Sequence, residues 1–215
     1  MFAITRFGHA ALLVEAASTR VLIDPGAYCR PEVFELRDLD AIVVTHQHPD
    51  HLDQSDAGRS LVEANPQALL ICDPETSGLV PFGAWTVNGD GACWQVGELS
   101  ITGVGSQHAV ISPEIPRVSN VGVLVSDGTT TLFHPGDSYD SNPSGVTALA
   151  VPLSAPWAKV SETVDFVQRV GANTVFPIHD CTISDLGYSI YWSRVVELGG
   201  TEDARLLGQD GSTRL

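Results

Sequence analysis

The sequence predicts a mixed α/β fold built on extensive sheets, and three observations carry that expectation. Short apolar runs, many of them β-branched, recur along the chain and are separated by Gly, Asp, Asn or Pro. Helical periodicity occurs only between some of these runs. The side chains best suited to bind metal fall where several of the runs end. Runs of this length bounded by turn formers read as strands, and strands interspersed with a few helices read as an α/β unit with mixed sheets.

The runs are, in order, FAITRF (2–7), AALLVE (10–15), RVLID (20–24), AIVVT (41–45), ALLIC (68–72), LSITGV (99–104), VGVLVS (121–126), TTLFH (130–134), LAVPLS (149–154) and TVFPIH (174–179). The clearest helix spans 159–170, where Val160, Val164 and Val167 follow i, i+4, i+7 spacing and Gly171 provides the stop. Residues 55–64 and 186–198 also read as helices. No linker, repeat or low-complexity segment interrupts the 215 residues, so 1–215 is expected to be a single domain.

Composition narrows the function. The chain is 43% hydrophobic, enough for a sizeable core, and carries 26 acidic against 11 basic residues, a net charge of −15. Without a basic patch to track a phosphate backbone, nucleic acid is a poor candidate for the main partner. No apolar run approaches the ~20 residues of a membrane span. The N-terminus lacks the basic and apolar regions of a signal peptide. The four cysteines are scattered, with no CxxC, which points to reduced thiols and a cytoplasmic protein.

The segment VVTHQHPDHLD (43–53) concentrates three histidines and an aspartate within six residues, 46–51. Imidazole and carboxylate are both good ligands for a borderline divalent ion. On an extended loop, residues i and i+2 point the same way, so His46 and His48 can share one ion. Asp50 and His51 follow Pro49, where the backbone turns, and can face a second. Four ligands cannot complete two catalytic ions, and the remaining candidates are His108, Asp137 and His179, each at or shortly after the end of a strand.

This loop, with LIDPG upstream and SQHA, HPGDS and FPIHD downstream, resembles the signature motifs of the metallo-β-lactamase fold superfamily in their usual order. The similarity runs from about residue 8 to residue 180 and is strongest to the single-domain hydrolase branch that includes ascorbate-6-phosphate lactonase-like proteins. It implies a four-layer αββα sandwich with the site at one edge. It also implies that His46, His48 and His108 hold the first ion, that Asp50, His51 and His179 hold the second, and that Asp137 bridges them. Asp24 would be an acceptor that orients a ligand histidine.

Two ions about 3.5–4 Å apart would share a water whose lowered pKa makes it a nucleophile near neutral pH. The expected reaction is hydrolysis of a small, anionic ester, lactone or phosphoester, with Asp50 also orienting the nucleophile or carrying a proton. Zinc suits the nitrogen and oxygen donors, with manganese or iron as substitutes. His9, in FGHAA, and Lys159, the only lysine, are candidate substrate contacts. A flavin-linked di-iron reductase is a poor match, because such proteins carry glutamate where this chain has His48. Two alternatives remain: a metal-dependent nuclease or phosphodiesterase of the same fold, and a non-catalytic metal-binding sensor or interaction module.

Overall fold

A computed structural model describes residues 2–207 and 212–215. Its elements begin with β1 (Phe2–Arg6), β2 (Leu12–Ala16), β3 (Thr19–Ile23), a 3-10 turn (Pro31–Glu35), β4 (Ala41–Val44), α1 (Asp56–Glu63), β5 (Leu69–Cys72), α2 (Pro74–Leu79), β6 (Thr86–Val87) and β7 (Cys93–Val96). They continue with β8 (Leu99–Val104), β9 (Gly122–Ser126), β10 (Thr131–His134), β11 (Ala148–Pro152), α3 (Val160–Val170), β12 (Thr174–Ile178), α4 (Asp185–Leu198), β13 (Asp203–Ala204) and β14 (Thr213–Arg214). Every apolar run named above forms a strand. The three expected helices appear with ends within one residue of expectation.

Two seven-stranded sheets stack face to face, in the orders β14-β1-β2-β3-β4-β5-β6 and β13-β12-β11-β10-β9-β8-β7. Side-chain alternation sorts each strand between two environments. Ile4, Val14, Val21, Ile23 and Val43 of the first sheet meet Ile101, Val123, Val125, Ala150 and Phe176 of the second. The opposite face of the first sheet packs Leu13, Leu22, Ile42 and Leu70 against Leu61 and Val62 of α1. The opposite face of the second packs Phe133, Leu149 and Val175 against Phe166 and Val167 of α3 and Trp192 and Val195 of α4. The architecture is therefore a four-layer αββα sandwich. The central parallel strands β4 and β11 are buried at every residue, as strands covered on both faces should be.

Some local expectations needed correction. Val160 does not lead the buried stripe of α3, since it is 37% exposed and the stripe is Thr163, Val164, Phe166 and Val167. Helix α2 was not visible as a period because it has only six residues; its start is set by Pro74 and by Asp73, whose carboxylate accepts the N–H groups of Glu75 and Thr76. Strands β6, β13 and β14 have two residues each, too few for a periodic signal.

Strand direction places the chemistry. β1, β3 and β4 run the same way in the first sheet, as do β8, β10 and β12 in the second. The loops that follow these six strands carry His9, Asp24, His46–His51, His108, Asp137 and His179. All of them meet at one edge of the sandwich.

Candidate metal centre

The loop after β4 lies on the loop after β3. The Ala27 N–H donates to the Pro49 carbonyl at 2.7 Å and the Asp53 N–H to the Pro25 carbonyl at 3.1 Å. Gly26 permits this contact: a Cβ there would stand 2.0 Å from the Asp50 carbonyl carbon and oxygen. After Pro49 the chain makes a helical turn, with the N–H groups of His51 and Leu52 both donating to the His48 carbonyl. This turn separates the directions of His46 and His48 from those of Asp50 and His51.

The structure brings all seven candidate ligands together in two adjoining groups. His46, His48, His108 and Asp137 offer donor atoms within 4.8 Å of one another, as do Asp50, His51, His179 and also His9. Asp137 stands between the groups: its Oδ1 is 3.1 Å from His51 Nε2, and its Oδ2 is 3.4 Å from His108 Nε2 and 3.2 Å from His179 Nε2.

The far nitrogen of most rings is tied down, which fixes the nitrogen that faces the centre. His108 Nδ1 donates to the Ala109 carbonyl and His179 Nδ1 to the Ser154 carbonyl, both at 2.7 Å. His51 Nδ1 donates to Asp24 Oδ2 at 2.7 Å. The Thr45 hydroxyl donates to Asp24 Oδ2 at 2.8 Å and so accepts from His46 Nδ1 at 3.1 Å. His46 Nε2 then faces His48 Nδ1 at 3.1 Å. Asp24 thus orients His51 directly and His46 through Thr45, while being fully buried.

The centre also holds unmet bonding capacity. Nε2 of His51, His108 and His179 and Oδ1 of Asp137 are buried with no hydrogen-bond partner. Buried polar atoms are normally satisfied, so four in one spot, all borderline nitrogen or hard oxygen donors, fit a divalent ion.

Electrostatics differ between the groups. Burial pushes the His46 ring well below the ordinary imidazole range, and it lowers His48 as well. Burial opposes charge on His51 and His179 too, but there the carboxylates outweigh it. Asp137 and Asp24 hold His51 well above the ordinary range, and Asp137 and Asp50 raise His179 to about 9. Burial likewise resists ionisation of Asp50, yet the His179 ring 3.4 Å away and a hydrogen bond from His9 keep it far below the usual carboxylate range. Without an ion, protons on His51 and His179 balance the carboxylates, and a metal would take their place.

Backbone strain collects here. Among the described residues, five that are not glycine have positive φ, and three of them are His9 (45°), Asp24 (50°) and His179 (57°). Such conformations persist where surrounding structure over-determines them, typically at functional sites.

Three supporting residues were not visible in the sequence. Asn120 Oδ1 accepts the Asp137 N–H at 2.9 Å while its amide donates to the Pro135 carbonyl at 3.0 Å. Gly136, with φ 61°, lets this turn close, since a Cβ there would stand 2.2 Å from Asn120 Oδ1. The Trp157 indole N–H donates to Asp137 Oδ2 at 2.9 Å. His134, a seventh histidine, is fully buried; it donates to the Ala10 carbonyl at 2.9 Å and accepts the Gly136 N–H, so it ties the two sheets together.

The two expected substrate contacts fare differently. His9 has 0% exposure and spends its ring on Asp50, at 3.0 Å, which leaves no surface for a substrate to touch. The Lys159 side chain is 77% exposed, pairs with Glu162 at 3.2 Å, and stands at the rim of a cavity of about 630 Å³ that Ala109, Arg117, Tyr139 and Trp157 also line. Arg117 and Ala109 continue into a narrow cleft that reaches His48 and His108.

Sequence and structure comparisons identify the family and the fold. The sequence profile of the beta-lactamase superfamily domain matches residues 3–179. Protein Rv0786c of Mycobacterium tuberculosis is 39% identical over 93% of each chain. A UPF0173 metal-dependent hydrolase of Pyrococcus abyssi is 27% identical, covering 80% of this chain and 81% of its own. The metallo hydrolase Igni18 of Ignicoccus hospitalis superposes with a TM-score of 0.74 at 18% identity, covering 99% of this chain and 97% of its own. The chain belongs to the beta-lactamase superfamily, as a hydrolase of the metallo-β-lactamase fold.

Proposed function

We propose that this metal-dependent hydrolase works with two divalent ions, most simply zinc, and cleaves a small anionic ester, lactone or phosphoester. The observation that carries the two-ion reading is the set of four unpartnered buried donor atoms shared between two adjoining ligand groups. His46, His48 and His108 would hold one ion and Asp50, His51 and His179 the other, with Asp137 between them. When bound, such ions lower the pKa of a shared water toward neutrality and polarise the substrate oxygen.

The chain's own residues supply the rest. Asp50 stays ionised and its side chain is 19% exposed, so it can accept a hydrogen bond from the attacking water and orient it at the mouth of the site. Asp24 and Thr45 hold the rings of His51 and His46 against rotation. Trp157 closes one wall of the cavity and fixes Asp137. Arg117 and Lys159 line the cavity and can meet an anionic group, each exchanging its present carboxylate partner, Asp140 or Glu162. The four free thiols support a cytoplasmic setting.

The test is metal analysis followed by a hydrolysis panel of lactones, phosphodiesters, thioesters and β-lactams. Two equivalents of metal with turnover of a small anionic ester, lactone or phosphoester are expected. Two equivalents without turnover of any class would favour a metal-binding module. Uptake below about half an equivalent after metal-supplemented purification would remove the site assignment itself.

A further inference from the structure

We propose that His9 is a positioning residue for Asp50: its imidazole N–H fixes the carboxylate in the second ligand group, and the ring neither ligates an ion nor meets substrate. The proposal rests on the reading that Asp50 serves as a ligand.

His9 sits in the turn between β1 and β2, where Gly8 (φ 89°) and His9 (φ 45°) are both left-handed. This turn carries a fully buried ring inward, beside the second group. Its ring centroid lies 4.0 Å from that of His179 and 5.3 Å from that of Tyr28. The decisive contact is on the far side of the ring. His9 Nδ1 faces the backbone N–H of Cys181 at 3.3 Å. An amide N–H can only donate, so Nδ1 keeps its lone pair. The single ring proton must then sit on Nε2, which lies 3.0 Å from Asp50 Oδ2. A protonated nitrogen cannot ligate a metal, so proximity to the cluster does not make His9 a ligand.

His9 also holds the neighbouring strand end. Its carbonyl accepts the His179 N–H at 2.9 Å. One residue therefore sets two members of the second group, Asp50 through its side chain and His179 through its backbone. His46, His48 and His108 belong to the other group. The expected effect of removing the ring is accordingly asymmetric.

Two measurements test this. In the metal-free full-length protein, ¹⁵N–¹H NMR of the ring should show the neutral Nε2–H tautomer. Asp50→Ala should lose the slow exchange of that proton. A proton on Nδ1, or on both nitrogens, overturns the proposal, and this result does not depend on how many ions bind. In stepwise zinc titrations, His9→Ala should bind the second equivalent about 10–100-fold more weakly with the first unchanged, the range typical of groups that orient metal ligands. His9→Gln, whose amide nitrogen can replace Nε2–H as donor, should recover most of the loss, and the His9→Ala defect should fall on kcat more than on KM. Unchanged binding of both equivalents, equal loss of both, or complete loss of the second without rescue by glutamine would each overturn it. Uptake of a single ion by the unaltered protein would instead refute the two-ion reading, while the tautomer experiment would still decide the role of His9.

Discussion

The two ligand groups lie side by side yet are built on opposite electrostatic plans. His46 and His48 are pushed toward the neutral form by burial, so their group has nitrogens ready to bind. His51 and His179 are pulled toward the charged form by Asp137, Asp24 and Asp50. On the two-ion reading the first group would need only an ion. On the same reading the second would have to exchange protons for one, with Asp24 behind His51 and His9 behind Asp50. The contrast teaches that a row of identical imidazoles is differentiated by what stands behind each ring rather than by the rings themselves.

The bluntest way to break the contrast is to remove the residue both groups share. Asp137→Ala takes away a buried carboxylate lying 3.1–3.4 Å from His51, His108 and His179. Both equivalents of metal should be lost, and kcat/KM should fall by on the order of 10³ or more, the scale of several kcal/mol of charge stabilisation. Retention of both ions at full rate, read by metal analysis and steady-state kinetics, would show that Asp137 does not join the groups.

A selective change should separate them. Asp24→Asn keeps the shape but replaces the oxygen that accepts from both His51 Nδ1 and Thr45 with one of weaker basicity. Affinity for the second equivalent should drop about 10–100-fold. The first group feels the change only through Thr45, so its loss should be smaller. Equal losses in a competition titration would mean that the two groups are one unit.

How much of this was legible in the sequence follows the same division. All seven candidate ligands were visible because dense imidazole in one short loop, followed by His and Asp at or near later strand ends, has little meaning other than metal. The two-sheet core was visible because burial on one or both faces imposes runs of strand length. What stood behind the ligands was not. Trp157 is 20 residues from Asp137 and Asn120 is 17, and a single tryptophan or asparagine carries no pattern. His9 reads as a candidate substrate contact because it follows a glycine between two strands and similar openings recur in the hydrolase branch the sequence resembles. Only the fold shows that Gly8 turns it inward, 41 residues from the carboxylate it holds. Helix α2 was hidden for a different reason, since six residues capped by Asp73 are defined by hydrogen bonds rather than by period.

The proton-for-metal exchange has a thermal signature. In the metal-free protein, His179 titrates at about 9 against an ordinary value of 6.5. A raised pKa gives stability that is fully present below about pH 6.5 and is lost as pH rises through about 9. Asp50 and Asp137 are depressed, so their contribution is present above the usual carboxylate range, about pH 4, and is lost on acidification. His46 and His48, held neutral by burial, count against the folded form as pH falls below about 6.5, so metal-free protein should be most stable near pH 6.5 and should lose on the order of 1–3 kcal/mol by pH 9.5. Zinc-loaded protein should lack the alkaline loss, because the ion has displaced the proton. Denaturant melts at matched pH with and without metal would check this, and an alkaline loss of equal size in both forms would place the titrating group outside the centre.

The smallest expected effect is the most diagnostic of how the shared carboxylate is held. Trp157 packs edge-on against Tyr139 at 4.8 Å and donates its indole N–H to Asp137 Oδ2. Trp157→Phe keeps an aromatic wall for the cavity but removes the donor. Asp137 Oδ2 is the oxygen near both His108 and His179, whereas Oδ1 faces His51 without a hydrogen bond. Freed from the indole, the carboxylate can rotate, and the rotation disturbs both groups together. Both equivalents should remain bound with modestly and evenly reduced affinity, and kcat/KM should fall about tenfold, the scale of one hydrogen bond to a charged group. An even loss contrasts with the uneven one expected of Asp24→Asn, so the pair of variants distinguishes a support shared by the two groups from one that belongs mainly to the second. A loss confined to the first equivalent would place the indole with His108 alone and confine its support to one side of the centre.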